Sequence, residues 1–203
     1  MTVISPVEPG TTGPAGVERL RRSPLADRAA ELAAAAGPRG TRLAEEPFLT
    51  QVNLRAAPEQ LARLGNAAGI PLPRKANRVG GDVQRAALWL GPDEWLLMAP
   101  DGEAASLRDA LGSAGAASVV DLSANRTTLR LGGGSARDVL EKVCSLDLHP
   151  RAFAAGHCAQ TLLGRTQAVL WQLGPEPDYR ILVRNSFAGY LADLLLDALR
   201  GPA

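Results

Sequence analysis

Cysteine and histidine are scarce in this 203-residue chain, two of each, and that scarcity excludes several chemistries at once. Cys144 and Cys158 are too few for a disulfide framework and suit a reducing compartment. Aromatic residues make up only 4% of the sequence. The basic clusters Arg19, Arg21, Arg22 and Arg74, Lys75, Arg78 therefore have no interleaved rings on which bases could stack. The formal net charge is +1, from 22 Lys and Arg against 21 Asp and Glu, so no global field steers the chain to nucleic acid or an anionic membrane. Every apolar run is broken by Gly, Pro or charge well before the ~20 residues needed to span a bilayer. The start, Met1-Thr2-Val3-Ile4-Ser5-Pro6, has no basic stretch followed by an apolar one and does not read as a secretory signal. The expectation is a cytoplasmic protein with neither nucleic-acid nor membrane partners.

What is present is an apolar fraction of 46%, dominated by Leu and Ala, enough to bury a core without metal or disulfide. Residues 1–16 are rich in Pro, Gly and Thr and poor in large apolar groups, which predicts an arm that is mobile or draped over a partner. A helix with a thin apolar face follows from Leu25 to Ala36, stopped by Gly37-Pro38. Together these give an N-terminal arm over residues 1–45. From Phe48 to Arg55 the alternation is that of a half-buried strand, and Pro58 to Gly69 reads as a short helix. Residues Ile70 to Gly81, with two prolines and two glycines, read as an exposed loop. Ala87–Leu90 and Trp95–Met98 flank Gly91-Pro92-Asp93-Glu94 as a hairpin. A helix near Glu103–Leu111, strands at Ser118–Leu122 and Thr127–Leu131, and a helix at Ala136–Cys144 come next. Strands near Ala159–Leu163, Ala168–Leu173 and Tyr179–Val183 precede a final helix, whose Phe187, Tyr190, Leu191, Leu194, Leu195 and Leu199 should dock on the sheet.

Leu88-Trp89-Leu90-Gly91-Pro92 echoes Leu170-Trp171-Gln172-Leu173-Gly174-Pro175. The chain thus reads as two related strand–helix–hairpin–helix halves, about 46–123 and 124–200, with one more strand between them. The fold class expected is α+β: an antiparallel sheet with helices packed on it, forming one domain over 46–203.

Candidate chemistry is sparse. Gly132-Gly133-Gly134-Ser135 joins a strand to a helix and could hold an anion, but its spacing fits neither common phosphate loop, and it reads as a turn with Ser135 and Asp138 in a capping pattern. Cys144, His149, His157 and Cys158 are four metal-ligand types without a close Cys-x-x-Cys-like pair. A catalytic base would have to be His149 or His157, there is no Gly-x-Ser-x-Gly elbow to position a serine, and a Cys–His pair from Cys144 or Cys158 is a further candidate. Asp93, Glu94, Asp121 and Asp147 lie at strand or loop ends, where they could serve as acids or bases, with solvated turn residues the favoured reading. Trp89, Trp95 and Trp171 sit in the matched hairpins as core anchors or as a protein–protein hot spot, with core packing favoured by their aliphatic surroundings. No residue is assigned a catalytic, cofactor-binding or metal-binding role.

Five stretches resemble the gamma subunit family of heterotetrameric sarcosine oxidase: Phe48–Arg55, Leu88–Leu97, Asp121–Thr127, Cys144–Phe153 and Asn185–Tyr190, with Arg22-Ser23-Pro24-Leu25 ahead of them. The resemblance implies a non-catalytic subunit assembled with alpha, beta and delta chains. That complex demethylates sarcosine oxidatively to glycine with formation of hydrogen peroxide, and the one-carbon unit leaves as 5,10-methylenetetrahydrofolate or formaldehyde. It also implies that FAD, FMN, NAD and zinc sit on the other subunits. A more distant resemblance joins Asp121–Leu148 and Thr161–Arg165 to the folate-binding domain of aminomethyltransferases. Those enzymes carry an aspartate just after the matching turn, where this chain reads Gly164-Arg165-Thr166-Gln167-Ala168-Val169 without a carboxylate. The alternative reading is a stand-alone folate-binding or one-carbon-transfer protein with Asp121, Asn125, Arg126 and Trp171 lining a pocket.

Overall fold

Period-two alternation and tight turns build eleven strands among the residues described by the computed structural model, 21–116 and 118–201. In chain order they are β1 (Ala36–Gly37), β2 (Thr41–Glu46), β3 (Thr50–Arg55), β4 (Val79–Gly81), β5 (Ala86–Gly91), β6 (Glu94–Ala99), β7 (Ser118–Asp121), β8 (Arg126–Gly132), β9 (Cys158–Leu163), β10 (Thr166–Gln172) and β11 (Asp178–Arg184). The helices are α1 (Ala29–Ala34), α2 (Leu61–Ala68), α3 (Ala104–Ser113), α4 (Ala136–Glu141) and α5 (Ala188–Arg200). No described helix is long and apolar enough to cross a membrane.

The expected antiparallel sheet occurs twice. The first has the order β4-β5-β6-β3-β7 and the second β1-β2-β8-β11-β10-β9, with every neighbouring pair antiparallel. The apolar clusters define four layers. Val52, Leu54, Trp95 and Leu97 of the first sheet pack under α2 and α3 through Leu61, Leu64, Leu107 and Leu111. Leu43, Leu129, Leu170 and Ile181 of the second pack under α1, α4 and α5. Between the sheets lie Leu88, Leu96 and Met98 from one and Cys158, Val169, Trp171 and Leu182 from the other.

Both halves run strand, strand, helix, three strands, helix, and the first strand of each adds to the other half's sheet. β2 pairs with β8, from Arg42 opposite Gly132 to Glu46 opposite Thr128, and β7 pairs with β3, from Val52 opposite Asp121 to Arg55 opposite Ser118. Leu49 and Leu122, where the chain crosses from one sheet to the other, both pack against the inter-sheet cluster. Each unit therefore begins one strand earlier than the hairpin echo suggests. The extra strand read between the halves is the counterpart of β2.

Residues 1–20, which hold the Pro-, Gly- and Thr-rich start of the predicted arm and Arg19, lie outside the described residues. Residues 21–46 are built into the second sheet rather than forming an arm. Leu25, Leu32 and Leu43 are at most 1% exposed in the same core as α5, and burying each stabilises the fold by about 2 kcal/mol. Glu45 accepts hydrogen bonds from Ser23 Oγ at 2.6 Å and Thr127 Oγ1 at 2.5 Å, tying this segment to β8. The segment predicted as an exposed loop over 70–81 buries Ile70 and ends in β4. Gly80 is what lets the Pro71 carbonyl approach, since a Cβ there would stand 2.0 Å from that oxygen.

Candidate functional site

The glycine-rich turn is occupied by the protein itself. Gly133 N–H donates to the Pro177 carbonyl at 3.0 Å, Gly134 N–H to the Arg39 carbonyl at 3.2 Å, and Ser135 N–H to Thr41 Oγ1 at 2.9 Å. Gly133 has φ 119°, and a Cβ on it would lie 2.6 Å from Thr41 Cα, so close approach of the Gly40–Thr41 backbone accounts for the glycine. Ser135 does not cap α4. Its Oγ accepts from Arg39 Nε at 2.8 Å, and Asp138 pairs with the same guanidinium, so the arginine draws both members of the predicted capping pair.

The four metal-ligand types fall into different layers. Cys144 lies in the core beneath α5, 3.8 Å from Thr161 Oγ1. Cys158 lies between the sheets, 3.5 Å from the carbonyls of Arg78 and Trp89, and burial pushes its thiol up to about 12. His157 stacks edge-to-face on Phe153 at 5.7 Å, and burial and then Arg78 lower its pKa. His149 Nδ1 accepts from Arg151 N–H at 3.2 Å in its own turn.

The carboxylates are engaged in turns and ion pairs. Asp93 and Glu94 both pair with Arg55, at 3.0 and 2.9 Å. Asp121 Oδ1 accepts from Ser123 N–H and Oγ, and Asp147 Oδ1 from His149 N–H. The tryptophans are core residues. Trp95 is 0% exposed with Nε1 donating to Pro73 O at 2.8 Å, Trp89 packs on the same layer, and Trp171 is 3% exposed between the sheets. The Leu-Trp echo is displaced by one residue relative to the Gly-Pro turns, which turns Trp89 and Trp171 to opposite faces of their sheets. Leu88 is the residue facing the inter-sheet layer as Trp171 does.

The site the structure forms is a cleft of about 370 Å³ at the end of the second sheet's inner face, lined by Arg126, Gln160, Leu162, Gln167, Val169 and Arg184. Arg126 opens β8 and Arg184 closes β11, directly opposite each other. The Arg126 carbonyl accepts from Gln51 Nε2 at 3.2 Å and Gln160 Nε2 donates to Leu90 O at 3.0 Å, so the first sheet braces the cleft. Arg126 Nη1 is buried without a hydrogen-bond partner. Burial, then the Arg184 charge, pull the Arg126 pKa below the ordinary arginine value, while Glu94 acts in the opposite sense. An adjoining cleft of about 340 Å³ shares Leu162, Gln167 and Arg184 and adds Arg165, Thr166 and Phe187. Guanidinium and carboxamide groups so arranged can hold an anion.

Of the residues suggested for a folate pocket, Asp121 and Arg126 share a neighbouring cleft of about 270 Å³, whereas Trp171 lies deeper in the inter-sheet layer and Asn125 is bonded in the turn through Leu122 O. Sequence reasoning named Arg126 but passed over Arg184 and Gln167. The available signal was Arg180-Ile181-Leu182-Val183-Arg184, a strand whose two charged ends, four residues apart, fall on one face.

Two halves that each lend a first strand to the other's sheet form a fold shared with an aminomethyltransferase. The glycine cleavage system aminomethyltransferase T from Bartonella henselae superimposes with TM-score 0.62 at 16% identity, over 87% of this chain and 57% of that one. A much nearer match is a chain of the heterotetrameric sarcosine oxidase from Corynebacterium sp. U-96, solved in complex with pyrrole 2-carboxylate. Its TM-score is 0.81 at 44% identity, over 89% of this chain and 95% of that one. The sarcosine oxidase gamma subunits of Corynebacterium sp. strain U-96 and of Arthrobacter sp. are 45% and 40% identical over 188 and 185 residues, covering 89% of this chain and 91% and 90% of theirs. The model of the "Sarcosine oxidase, gamma subunit family" matches residues 54–200, and the chain belongs to that family.

Proposed function

We propose that this chain is the gamma subunit of a cytoplasmic heterotetrameric sarcosine oxidase, partnered by alpha, beta and delta subunits, and that it has no active site of its own. The observation that carries the reading is 40–45% identity to gamma subunits across nine-tenths of both chains, joined to a TM-score of 0.81 with a chain of such a complex. The two pseudo-repeat halves act as one aminomethyltransferase-like domain in a scaffold role. On this reading FAD, FMN, NAD and zinc belong to the other subunits. Those subunits oxidise the sarcosine N-methyl group, reduce oxygen to hydrogen peroxide, and release the carbon as formaldehyde or pass it to tetrahydrofolate.

The engagement of the reactive side chains favours the non-catalytic part of this proposal. Both thiols are buried, the four acidic candidates are engaged in turns or ion pairs, and Gly164–Val169 carries no carboxylate. The test is to co-express the tagged chain with its candidate flavoprotein subunits. Flavin absorbance should follow the tag through size exclusion, and the fraction should make peroxide when given sarcosine. A colourless monomer would overturn the proposal and make a tetrahydrofolate titration of the free chain decisive for the folate-binding alternative.

A further inference from the structure

The inner face of the second sheet treats its arginines in two ways. Arg130 is paired with Asp178 at 2.7 Å, and Arg180 with Glu46 at 2.5 Å. Further along the same two strands, Arg126 and Arg184 face each other with no acidic partner within ion-pair distance among the described residues. Like charges directly opposite on neighbouring strands repel, and a buried guanidinium nitrogen without an acceptor adds a desolvation cost. Both costs disappear if a carboxylate enters the cleft.

The rim supplies the second observation. Five large apolar side chains are more than a third exposed among the described residues, and three of them, Leu162 (51%), Phe187 (43%) and Tyr190 (39%), gather at this edge. Phe187 and Leu162 share the adjoining cleft with Arg165, whose N–H donates to Tyr190 Oη at 3.0 Å. Phe187 and Tyr190 were expected from the sequence to dock on the sheet. Both stay more than a third exposed instead, Tyr190 lying against the Gly164–Arg165 turn, while Leu191, Leu195 and Leu199 of α5 face the core. An inorganic anion has no use for an apolar rim beside a pair of guanidinium groups. A protein segment does.

Building on the subunit reading above, we propose that the Arg126–Arg184 cleft with its Leu162, Phe187 and Tyr190 rim docks an acidic segment of a partner subunit. One carboxylate of that segment enters between the two guanidinium groups, and its apolar neighbours cover the rim. Removing one partner of a desolvated interfacial charge pair weakens binding by roughly thirtyfold or more.

The experiment is co-purification of the tagged full chain with its candidate flavoprotein subunits, comparing wild type with Arg184→Glu, Arg126→Gln and Leu162→Asp, and with Arg108→Glu on α3 as a distant charge reversal. The three cleft variants should lose at least roughly thirtyfold in affinity for the complex while the free chains keep a cooperative melt, and Arg108→Glu should assemble as wild type does. Arg184→Gln replaces Arg184→Glu should the reversal fail to fold. Assembly of the cleft variants within about twofold of wild type would overturn the docking proposal and leave the subunit reading standing. The docking proposal fails equally if the free chain binds a small dicarboxylate, such as succinate, in a manner that needs Arg126 while assembly ignores it. A wild-type chain that never co-purifies would overturn both.

Discussion

Replacing Arg180 with Met should destabilise the chain by about 3 kcal/mol, because Arg180 is the charged post that joins the two sheets. Its side chain is 7% exposed. Nε donates to Glu46 Oε2 at 2.5 Å, a second nitrogen donates at 2.6 Å to the Val83 carbonyl in the bend joining β4 and β5 of the first sheet, and the guanidinium lies 5.3 Å from the Trp171 ring. Methionine keeps much of the stem volume but strands Glu46 and the Val83 carbonyl. Breaking a buried pair from one side costs about 3–5 kcal/mol. The lower end applies because Glu46 is 22% exposed and retains Arg130 at 3.4 Å. For a chain of this size the melting temperature should fall by about 6–12 °C. Urea unfolding followed by far-UV circular dichroism measures the difference. The paired variant Arg180→Met/Glu46→Leu should recover part of the loss, to about 1–2 kcal/mol below wild type, since no orphaned carboxylate is left and Arg130 keeps Asp178 while the Val83 carbonyl still lacks its donor. A single variant that unfolds with wild type would refute the reasoning. A double variant as unstable as the single one would show that packing, not the stranded charge, sets the cost.

Further outcomes follow from the same packing. Leu43→Ala should cost about 2–5 kcal/mol in a denaturant titration, as expected for an exchanged strand inside the second core rather than an arm. Gly133→Ala meets both a positive φ of 119° and the Thr41 backbone, and should lower the denaturation midpoint by the equivalent of about 2–4 kcal/mol. Cys158 should resist a thiol reagent at pH 8 in the native chain and react only on unfolding. Because its folded pKa lies at about 12 against an ordinary value of 9.0, the unfolded state loses the proton first. The thiol's contribution to stability is therefore intact below pH 9 and is lost as pH rises toward 12, which base titration of a Cys158→Ser control would separate.

The strands and hairpins were legible because half-buried strands alternate, and the turns at Gly91–Glu94 and Gly164 carry turn chemistry. The second sheet was not. Its inner face is written partly in Arg130 and Arg180, polar residues that carry no core signal until Glu46, Asp178 and Trp171 are seen beside them. β4 escaped notice because Gly80 is there for its lack of a side chain, which carries no periodic signal. The partial exposure of Phe187 and Tyr190 was equally hidden. Both fit an apolar helix face by spacing, yet Phe187 precedes α5 in a 3-10 turn, outside the stripe formed by Leu191, Leu195 and Leu199. Cys144, Cys158, Asp93, Glu94, Asp121 and Asp147, the candidates singled out by residue type, are used by the structure for the core, ion pairs and turns. The cleft is different because it depends on which strand ends become neighbours.

That neighbourhood makes the two halves unequal in a way that can be measured on the free chain. On the inner face of the first sheet, Gln51 of β3 stands opposite Met98 of β6, both 1% exposed. On the corresponding face of the second, Arg126 stands opposite Arg184 and a cleft opens above them. The isolated chain should therefore gain stability when the repulsion is removed. Arg184→Gln keeps a polar, hydrogen-bonding side chain at an exposed strand end and should raise stability by a few tenths of a kcal/mol, up to about 1, the range for cross-strand charge pairs. The melting temperature should rise by about 1–3 °C at low salt, with the gain shrinking as salt screens the wild-type pair. A residue kept only for folding would behave in the opposite way. If Arg184→Gln lowers the melting temperature of the free chain, Arg184 supports the fold and the strain argument for an external carboxylate fails. If it raises the melting temperature while weakening assembly, this edge gives up stability in isolation in order to bind.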